Sequence, residues 1–335
     1  MKKKLLAMLM TMTMVAMSLA GCGSKSADNA DSASANSGDA TYSIGVIQLV
    51  QHSALDAATE GFVAALEEKL GDSVSIDVQN AAGDSATCST IANQFVSEGV
   101  DLIMANATPA LQSAMAATAD IPILGTSVTD YATALEMDDW TGTTGINVSG
   151  TSDLAPLEQQ ADMLEELFPV ADNANVGILY CTAEANSKYQ ADVITKSLEA
   201  KGYNVTEYTF SDSNDVASVV TAACAESDVL YVPTDNTAAS CAETINSVAA
   251  PAGVPIIAGE EGICAGCGVA TLSISYYDLG YQTGLMAYDV LVNGTDVSSM
   301  EVQFAPEITK EYNADLCDQL GIKIPDGYVA IATEE

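Results

Sequence analysis

Asp101-Leu102-Ile103-Met104-Ala105-Asn106-Ala107-Thr108-Pro109 has a counterpart in Asp228-Val229-Leu230-Tyr231-Val232-Pro233-Thr234-Asp235-Asn236. In each, an acid opens a short apolar run, and a polar, turn-forming segment closes it. That is the pattern of a buried strand running into a loop. The offset from Asp101 to Asp228 is 127 residues. Ile121-Pro122-Ile123 recurs as Val254-Pro255-Ile256 at an offset of 133, and Gly45-Val46-Ile47 as Gly177-Ile178-Leu179 at 132. Three matches in the same order at nearly constant spacing describe one half-domain used twice.

Working outward from this pair, strands are expected at 43–49, 74–78, 102–105 and 122–124, then at 176–180, 204–208, 229–232 and 255–257. Helical periods lie between them. Leu55, Phe62, Leu66 and Leu70 share one face before Gly71, and Cys88, Ile91 and Phe95 share another before Gly99. A third helix has Tyr189, Val193 and Ile194 inward and closes at Gly202. Alternation of strand and helix predicts an α/β fold class with parallel sheets, here two Rossmann-like lobes facing each other across a cleft. Further on, 269–275 reads as a strand, 277–291 as a helix, 301–304 as extended and 312–319 as a short helix. The Gly/Ser/Thr-rich run 145–153 lies between the repeats and is expected to be the first crossover and hinge.

The amino terminus carries an address. Lys2-Lys3-Lys4, an uncharged run from Leu5 to Met17 and Leu19-Ala20-Gly21-Cys22 have the layout of a secretory signal peptide. The apolar run is shorter than the ~20 residues that cross a bilayer. Leu-Ala-Gly-Cys resembles the bacterial lipobox, whose cysteine is lipidated and becomes the new N-terminus. Residues 1–21 are thus expected to be removed, and residues 22–40 to form a lipidated Cys22 and a linker. From Gly23 to Ala40 there is no Ile, Leu, Val or aromatic residue, so the segment cannot bury enough surface to order itself. Its eighteen residues give a reach of roughly 20–25 Å.

The formal charge is -36, and loss of the three leader lysines makes it -39, which argues against nucleic acid as a partner. All ten basic residues are lysine, so no Arg fork is available for a carboxylate. Seven cysteines remain besides Cys22, so at least one cannot pair within a monomer. Cys264 and Cys267 read as a local disulfide or two buried thiols, and Cys88, Cys181, Cys224, Cys241 and Cys317 as small hydrophobes. With His52 the sole histidine, neither a metal nor a cofactor is expected. Nor are catalytic residues: G-x-x-x-x-G-K, G-x-G-x-x-G and G-x-S-x-G are absent. Gly83-Asp84-Ser85 has an esterase-like look, but its histidine would have to lie downstream and His52 lies upstream.

In open α/β sheets, ligands bind beyond the carboxyl ends of the strands. Those ends are polar here: 48–56, 82–85, 108–109, 126–130, 182–187, 233–236 and 259–261. Helices begin after most of them, so backbone N–H groups face the cleft and hold anions without arginine. An α-amino acid fits this lining. Thr108, Ser127 and Ser187 suit its carboxylate, and Asp235, Asp130 or Glu184 its ammonium. Asp130, Ser187 and Asp235 serve equally as helix N-caps. His52 with Asp56 is an i, i+4 pair suited to a local hydrogen bond or a ligand contact.

Ordered blocks carry a family resemblance. They are His52-Ser53-Ala54-Leu55-Asp56 with Gly61-Phe62, Thr108-Pro109-Ala110, Val128-Thr129-Asp130, Asn147-Val148-Ser149-Gly150, Glu184-Ala185-Asn186-Ser187, Thr234-Asp235-Asn236 and Tyr277-Asp278-Leu279-Gly280. Together they resemble the ABC-importer substrate-binding lipoproteins that include tryptophan- and tyrosine-binding members. The resemblance implies a type I periplasmic-binding-protein fold, two lobes joined by three crossovers, and an amino acid held between them. The lobes would be 41–150 plus about 276–300, and 151–275 plus about 305–335. Where that family has prolines, this chain has Ser53 and Tyr131, so Tyr131 is expected to enter the cleft and alter selectivity. Trp140, Tyr276 and Tyr277 are further stacking candidates for an aromatic ligand, although Trp140 suits packing better.

The expected binding set is Gln51, His52, Asp56, Thr108, Ser127, Asp130, Tyr131, Glu184, Asn186, Ser187, Asp235, Asn236 and Glu260. The reading is a monomeric, lipid-anchored receptor on the extracytoplasmic face of a bacterial membrane. It would pass an amino acid to an ABC permease and its ATPase. Its rivals are a binding protein for a nucleoside or branched-chain amino acid, and a surface sensor or adhesin.

Overall fold

The computed structural model describes residues 42–305 and 307–331; the expected leader, Cys22 and linker lie outside the described residues. β1 (Tyr42–Gln48), α1 (Ser53–Leu70), β2 (Val74–Asn80), α2 (Ser85–Glu98), β3 (Leu102–Asn106), α3 (Thr108–Ala117), β4 (Ile123–Thr126), α4 (Tyr131–Ala134) and β5 (Val148–Ser152) build a first lobe. A second follows with α5 (Leu157–Leu167), β6 (Asn175–Cys181), α6 (Ala185–Ala200), β7 (Asn204–Phe210), α7 (Val216–Glu226) and β8 (Val229–Val232). It continues with α8 (Asn236–Ser240), α9 (Ala242–Ala252), β9 (Ile256–Ala258), α10 (Glu261–Cys267) and β10 (Ala270–Ser273). The chain returns to the first lobe with α11 (Tyr276–Leu291) and β11 (Gln303–Phe304). It leaves again for β12 (Thr309–Tyr312), α12 (Ala314–Leu320) and β13 (Val329–Ala330).

The sheet orders are β11-β5-β4-β3-β1-β2 and β13-β12-β10-β9-β8-β6-β7. Five strands of each therefore run in the same spatial order, as a duplicated half-domain requires. β10 pairs antiparallel with β12, and the other described pairs are parallel. Every residue of β3 and β8 is buried, as in a strand covered on both faces. The acids that open the repeated stretch do equivalent work. Asp101 Oδ2 accepts from Ser43 N at 2.8 Å, and Asp228 Oδ2 from Asn175 N at 2.9 Å, each tying its strand to the neighbour. No helix among the described residues is long and apolar enough to cross a membrane.

Two local expectations change, and one left open is decided. Residues 148–152 of the anticipated crossover form β5 instead. Its small side chains fit a crowded place: Gly150 has φ +143°, and a Cβ there would meet Gly125 O at 2.0 Å. The crossing itself falls after β5, at 153–156. In α6 the buried face is Gln190, Ala191, Ile194 and Leu198, with Tyr189 and Val193 half-buried at its border. Cys264 and Cys267 are buried free thiols, and the other described cysteines are free as well.

α11 covers the first sheet from one side by lying against α1. The approach depends on residues without side chains at the contact. A Cβ on Gly280 would sit 1.8 Å from Ala58 O, and one on Gly61 2.0 Å from Tyr277 O. Both helices begin beside the cleft, so their packing sets where His52 and Tyr276 stand. Gly280→Val is expected to cost at least the roughly 1–3 kcal/mol of core overpacking, because the obstacle is backbone and cannot rotate away. Thermal melting would show this as a lowered midpoint, and an unchanged midpoint would contradict the contact.

Candidate functional site

In the first lobe, two strands end in strained backbone. Ala107 has φ +93° and Ser127 φ +54°, a region that non-glycine residues enter at about 1–3 kcal/mol each. The strain places Thr108 at the first turn of α3, whose N-terminus has no side-chain cap, and points Ser127 inward. Thr108 is 2% and Ser127 5% exposed, and neither hydroxyl has a partner. Beneath them, Asn106 Nδ2 donates to Leu55 O at 2.8 Å and to Thr59 Oγ1 at 3.0 Å. Thr59 in turn donates to Gln48 Oε1 at 2.7 Å, and Gln48 Nε2 to Asp56 Oδ1 at 2.6 Å. Asp56 is thereby engaged by Gln48 rather than by His52. Asp130 caps α4 by accepting from Thr133 N at 2.7 Å.

In the second lobe the carboxylates are consumed by backbone. Glu184 Oε1 accepts from Thr237 N at 2.9 Å and Thr237 Oγ1 at 2.8 Å, and Oε2 from Asn236 N at 3.1 Å and Asn236 Nδ2 at 2.6 Å. Asp235 Oδ2 accepts from Cys181 N and Oδ1 from Ala238 N, both at 2.7 Å. The Ser187 side chain lies against Asp235. Asp235 is therefore a cap and a strand tie, not an open partner for a cation. Burial, then the neighbouring Glu184 charge, pushes its carboxyl up to about 7. Glu260 caps α10 through Gly262 N and Ile263 N, and burial pushes it up to about 7 as well.

His52 joins the lobes. Its Nε2 lies 3.2 Å from Asn236 Oδ1, while Asn236 Nδ2 donates to Glu184. A carboxylate only accepts, so the amide orientation is set and Nε2 must carry the proton. Nδ1 is then an acceptor, buried and without a partner. Burial holds the His52 pKa below its ordinary value, against the pull of Asn236, Glu184 and Asp56. The same reasoning applies to Asn186. Its Nδ2 donates to Thr234 O at 3.1 Å, Ser187 Oγ at 3.3 Å and Glu184 Oε2 at 3.4 Å, which leaves Oδ1 as a buried acceptor without a partner. Buried polar atoms are rarely left unmade, since each costs about 1–3 kcal/mol. Two hydroxyls and two acceptors from opposing lobes are an arrangement for a small zwitterion.

Other expected residues stand elsewhere. Gln51 is exposed. Tyr131 turns into the first-lobe core rather than the cleft: its OH donates to Thr151 O at 3.2 Å, and Trp140 stacks on it at 6.2 Å. Tyr277 is 43% exposed and stacks on Tyr281. A concavity of about 1070 Å³ runs along the hinge side past Ser53, Glu261, Tyr276 and Glu311, and Glu260 is the one residue of the expected binding set in its wall. The convergent unpartnered atoms mark the site better than that groove does, because they identify unmet chemistry rather than open space.

Sequence reading missed Gln190 and Asp153. Gln190 clamps Thr234, donating to its O at 3.0 Å and accepting from its N at 3.1 Å. Asp153 is buried, accepts from Tyr276 OH at 2.9 Å through Oδ2, and keeps Oδ1 without a partner. Its position just after β5 was the available signal.

Residues 43–335 match the profile of ABC transporter substrate binding proteins. The chain is 36% identical over 325 residues to a tyrosine-binding protein of Clostridioides difficile, covering 96% of this chain and 93% of the other. Among solved structures, a Streptococcus pneumoniae ABC domain in complex with L-Trp aligns at 32% identity and TM-score 0.82, covering 87% of this chain and all of that one. A ligand-free, open substrate-binding protein with adhesive properties from Clostridium difficile aligns at 37% identity and TM-score 0.65, covering 88% of this chain and all of that one. The chain thus superposes better on the L-Trp complex than on the ligand-free, open structure, despite the latter's higher sequence identity.

The buried acids set the response to pH. Asp235 and Glu260 bind a proton more tightly folded than unfolded, and Asp153 and Glu311 shift in the same direction. Their contribution is fully present below the ordinary carboxylate range and is lost as pH rises to about 7. His52, shifted down, opposes this only below its ordinary value of 6.5. The melting temperature without added ligand is expected to fall between pH 5 and pH 8, and a rise over that span would contradict the burial of these acids.

Proposed function

The chain belongs to the ABC transporter substrate-binding protein family, and from that premise we propose that it captures an aromatic amino acid between its lobes and delivers it to an ABC permease. The fold is the type I periplasmic-binding-protein fold, and proteins of this family are extracytoplasmic solute binders without enzymatic turnover. The observation that carries the reading is the set of buried, unpartnered atoms from both lobes: Thr108 Oγ1, Ser127 Oγ, His52 Nδ1 and Asn186 Oδ1. The hydroxyls, with the uncapped start of α3, donate to the ligand carboxylate. The two acceptors take ligand N–H or O–H groups. A tyrosine-binding relative and an L-Trp complex support an aromatic side chain.

Thr108, Ser127 and His52 belong to the first lobe and Asn186 to the second, so a ligand touching all of them bridges the two. Binding therefore stabilises the closed arrangement by its differential affinity for it. Lipidated Cys22, on the linker 23–40, would hold this trap within reach of its permease and ATPase. Calorimetric titration and thermal melting of the mature chain test the reading, with L-Tyr, L-Trp and L-Phe set against L-Leu and adenosine. A ligand at 100 times its dissociation constant adds ~2.7 kcal/mol. A rise with an aromatic amino acid is expected, and a rise with L-Leu or adenosine alone would defeat the reading. Ser127→Ala is expected to weaken binding roughly tenfold or more, the loss of one hydrogen bond to a charged group. Unaltered affinity would remove Ser127 from the site.

A further inference from the structure

Resting on the amino-acid reading, we propose that Asp153 is the residue that receives the α-ammonium group of the ligand and selects amino acids over their des-amino counterparts. Asp153 is 3% exposed, and only one of its oxygens is engaged, by Tyr276 OH. Its Oδ1 is buried and makes no hydrogen bond, although the Thr129 side chain lies beside the carboxyl. The other buried acids of the cleft have both oxygens engaged: Asp235 and Glu260 cap helices, and Glu184 accepts from five donors, while Asp56 and Asp130, each with one oxygen engaged, are only half-buried.

A buried carboxylate without a counter-charge is costly, and no lysine among the described residues is placed to offer one. The chain has no arginine. Lys69, Lys188, Lys201 and Lys310 pair with acids away from the cleft, and Lys196 and Lys323 are exposed. Burial raises the Asp153 carboxyl above its ordinary range, against the pull of Thr129 and Tyr276. The cation that suits this place has to come with the ligand.

Position supports the same assignment. Asp153 begins the first crossing between lobes, and Tyr276 ends the second. Thr129, two residues beyond Ser127, lies beside the Asp153 carboxyl, and the Tyr276 hydroxyl also lies beside Thr234, whose carbonyl holds Asn186. Asp153 thus closes the hinge end of the wall that carries the unpartnered hydroxyls and amide. An ammonium there ties the hinge to both lobes at once.

The test is isothermal titration of the full mature chain and its Asp153→Asn variant with two matched pairs: L-tyrosine with 3-(4-hydroxyphenyl)propanoate, and L-tryptophan with indole-3-propanoate. The variant is expected to lose at least about 30-fold in affinity for the amino acid while the des-amino acid changes by less than about threefold, so that the preference collapses. Equal losses for both members of a pair would show a structural role and overturn the assignment, as would unchanged amino-acid affinity. If Asp153→Asn does not fold, Asp153→Ser is read in the same way. Wild type that binds neither amino acid overturns the parent reading and this assignment with it, whereas a binding wild type with an indifferent variant overturns this assignment alone.

Discussion

Backbone N–H groups at helix starts supply the positive character at the heart of this molecule. With no arginine in the chain and no buried lysine among the described residues, acids near the cleft are satisfied by main chain, by hydroxyls, by side-chain amides or by something that arrives from outside. Asp84, Asp130, Asp235 and Glu260 each follow the first solution, accepting from the N–H groups of the helix they precede. Such charge-assisted bonds exploit both the orphan donors and the dipole of a helix N-terminus. They cement the loops at the strand ends and leave the loops rigid. The buried atoms without a partner near these strand ends include the Thr108 and Ser127 hydroxyls, His52 Nδ1, the amide oxygens of Asn106 and Asn186, and Asp153 Oδ1. Those atoms define the ligand by complement.

The architecture exists to bring those atoms together. Duplicated α/β halves place two sets of strand ends face to face, and α11 returns to lie on α1 through a contact of near-bare backbone. Crossings at the ends of β5 and β10 then fall at the same edge as Asp153 and Tyr276. The hinge and the binding wall are consequently one piece of structure. Closure and recognition are linked because the His52–Asn236 bond joins the lobes while its own geometry fixes which His52 nitrogen faces the ligand.

Much of this was legible in the chain. Repeated apolar runs located β1 to β4 and β6 to β10 within about two residues, whereas β5, β12 and β13 were not anticipated. The roles of individual acids were not legible, for a physical reason. An acid before a helix has the same local pattern whether it caps that helix or waits for a ligand. Only the partner of its second oxygen distinguishes the two, and for Asp235 that partner is Cys181 N, 54 positions away in sequence. Tyr131 was misplaced for a similar reason: its ring fits over Gly125 and Gly150, a packing relation between separate strands. Residues 145–153 looked like a hinge because Gly145, Asn147, Gly150 and Asp153 are poor strand formers in isolation. Burial under α11 overrode that preference.

A crystal structure of the mature protein grown with L-tyrosine or L-tryptophan tests the central claim most directly. The account predicts closed lobes, the ligand carboxylate on Thr108 and Ser127, and the ammonium nitrogen about 2.7–3.0 Å from Asp153 Oδ1. An ammonium seated on Asp235 or Asp130 instead, with Asp153 Oδ1 still unpaired, would contradict it.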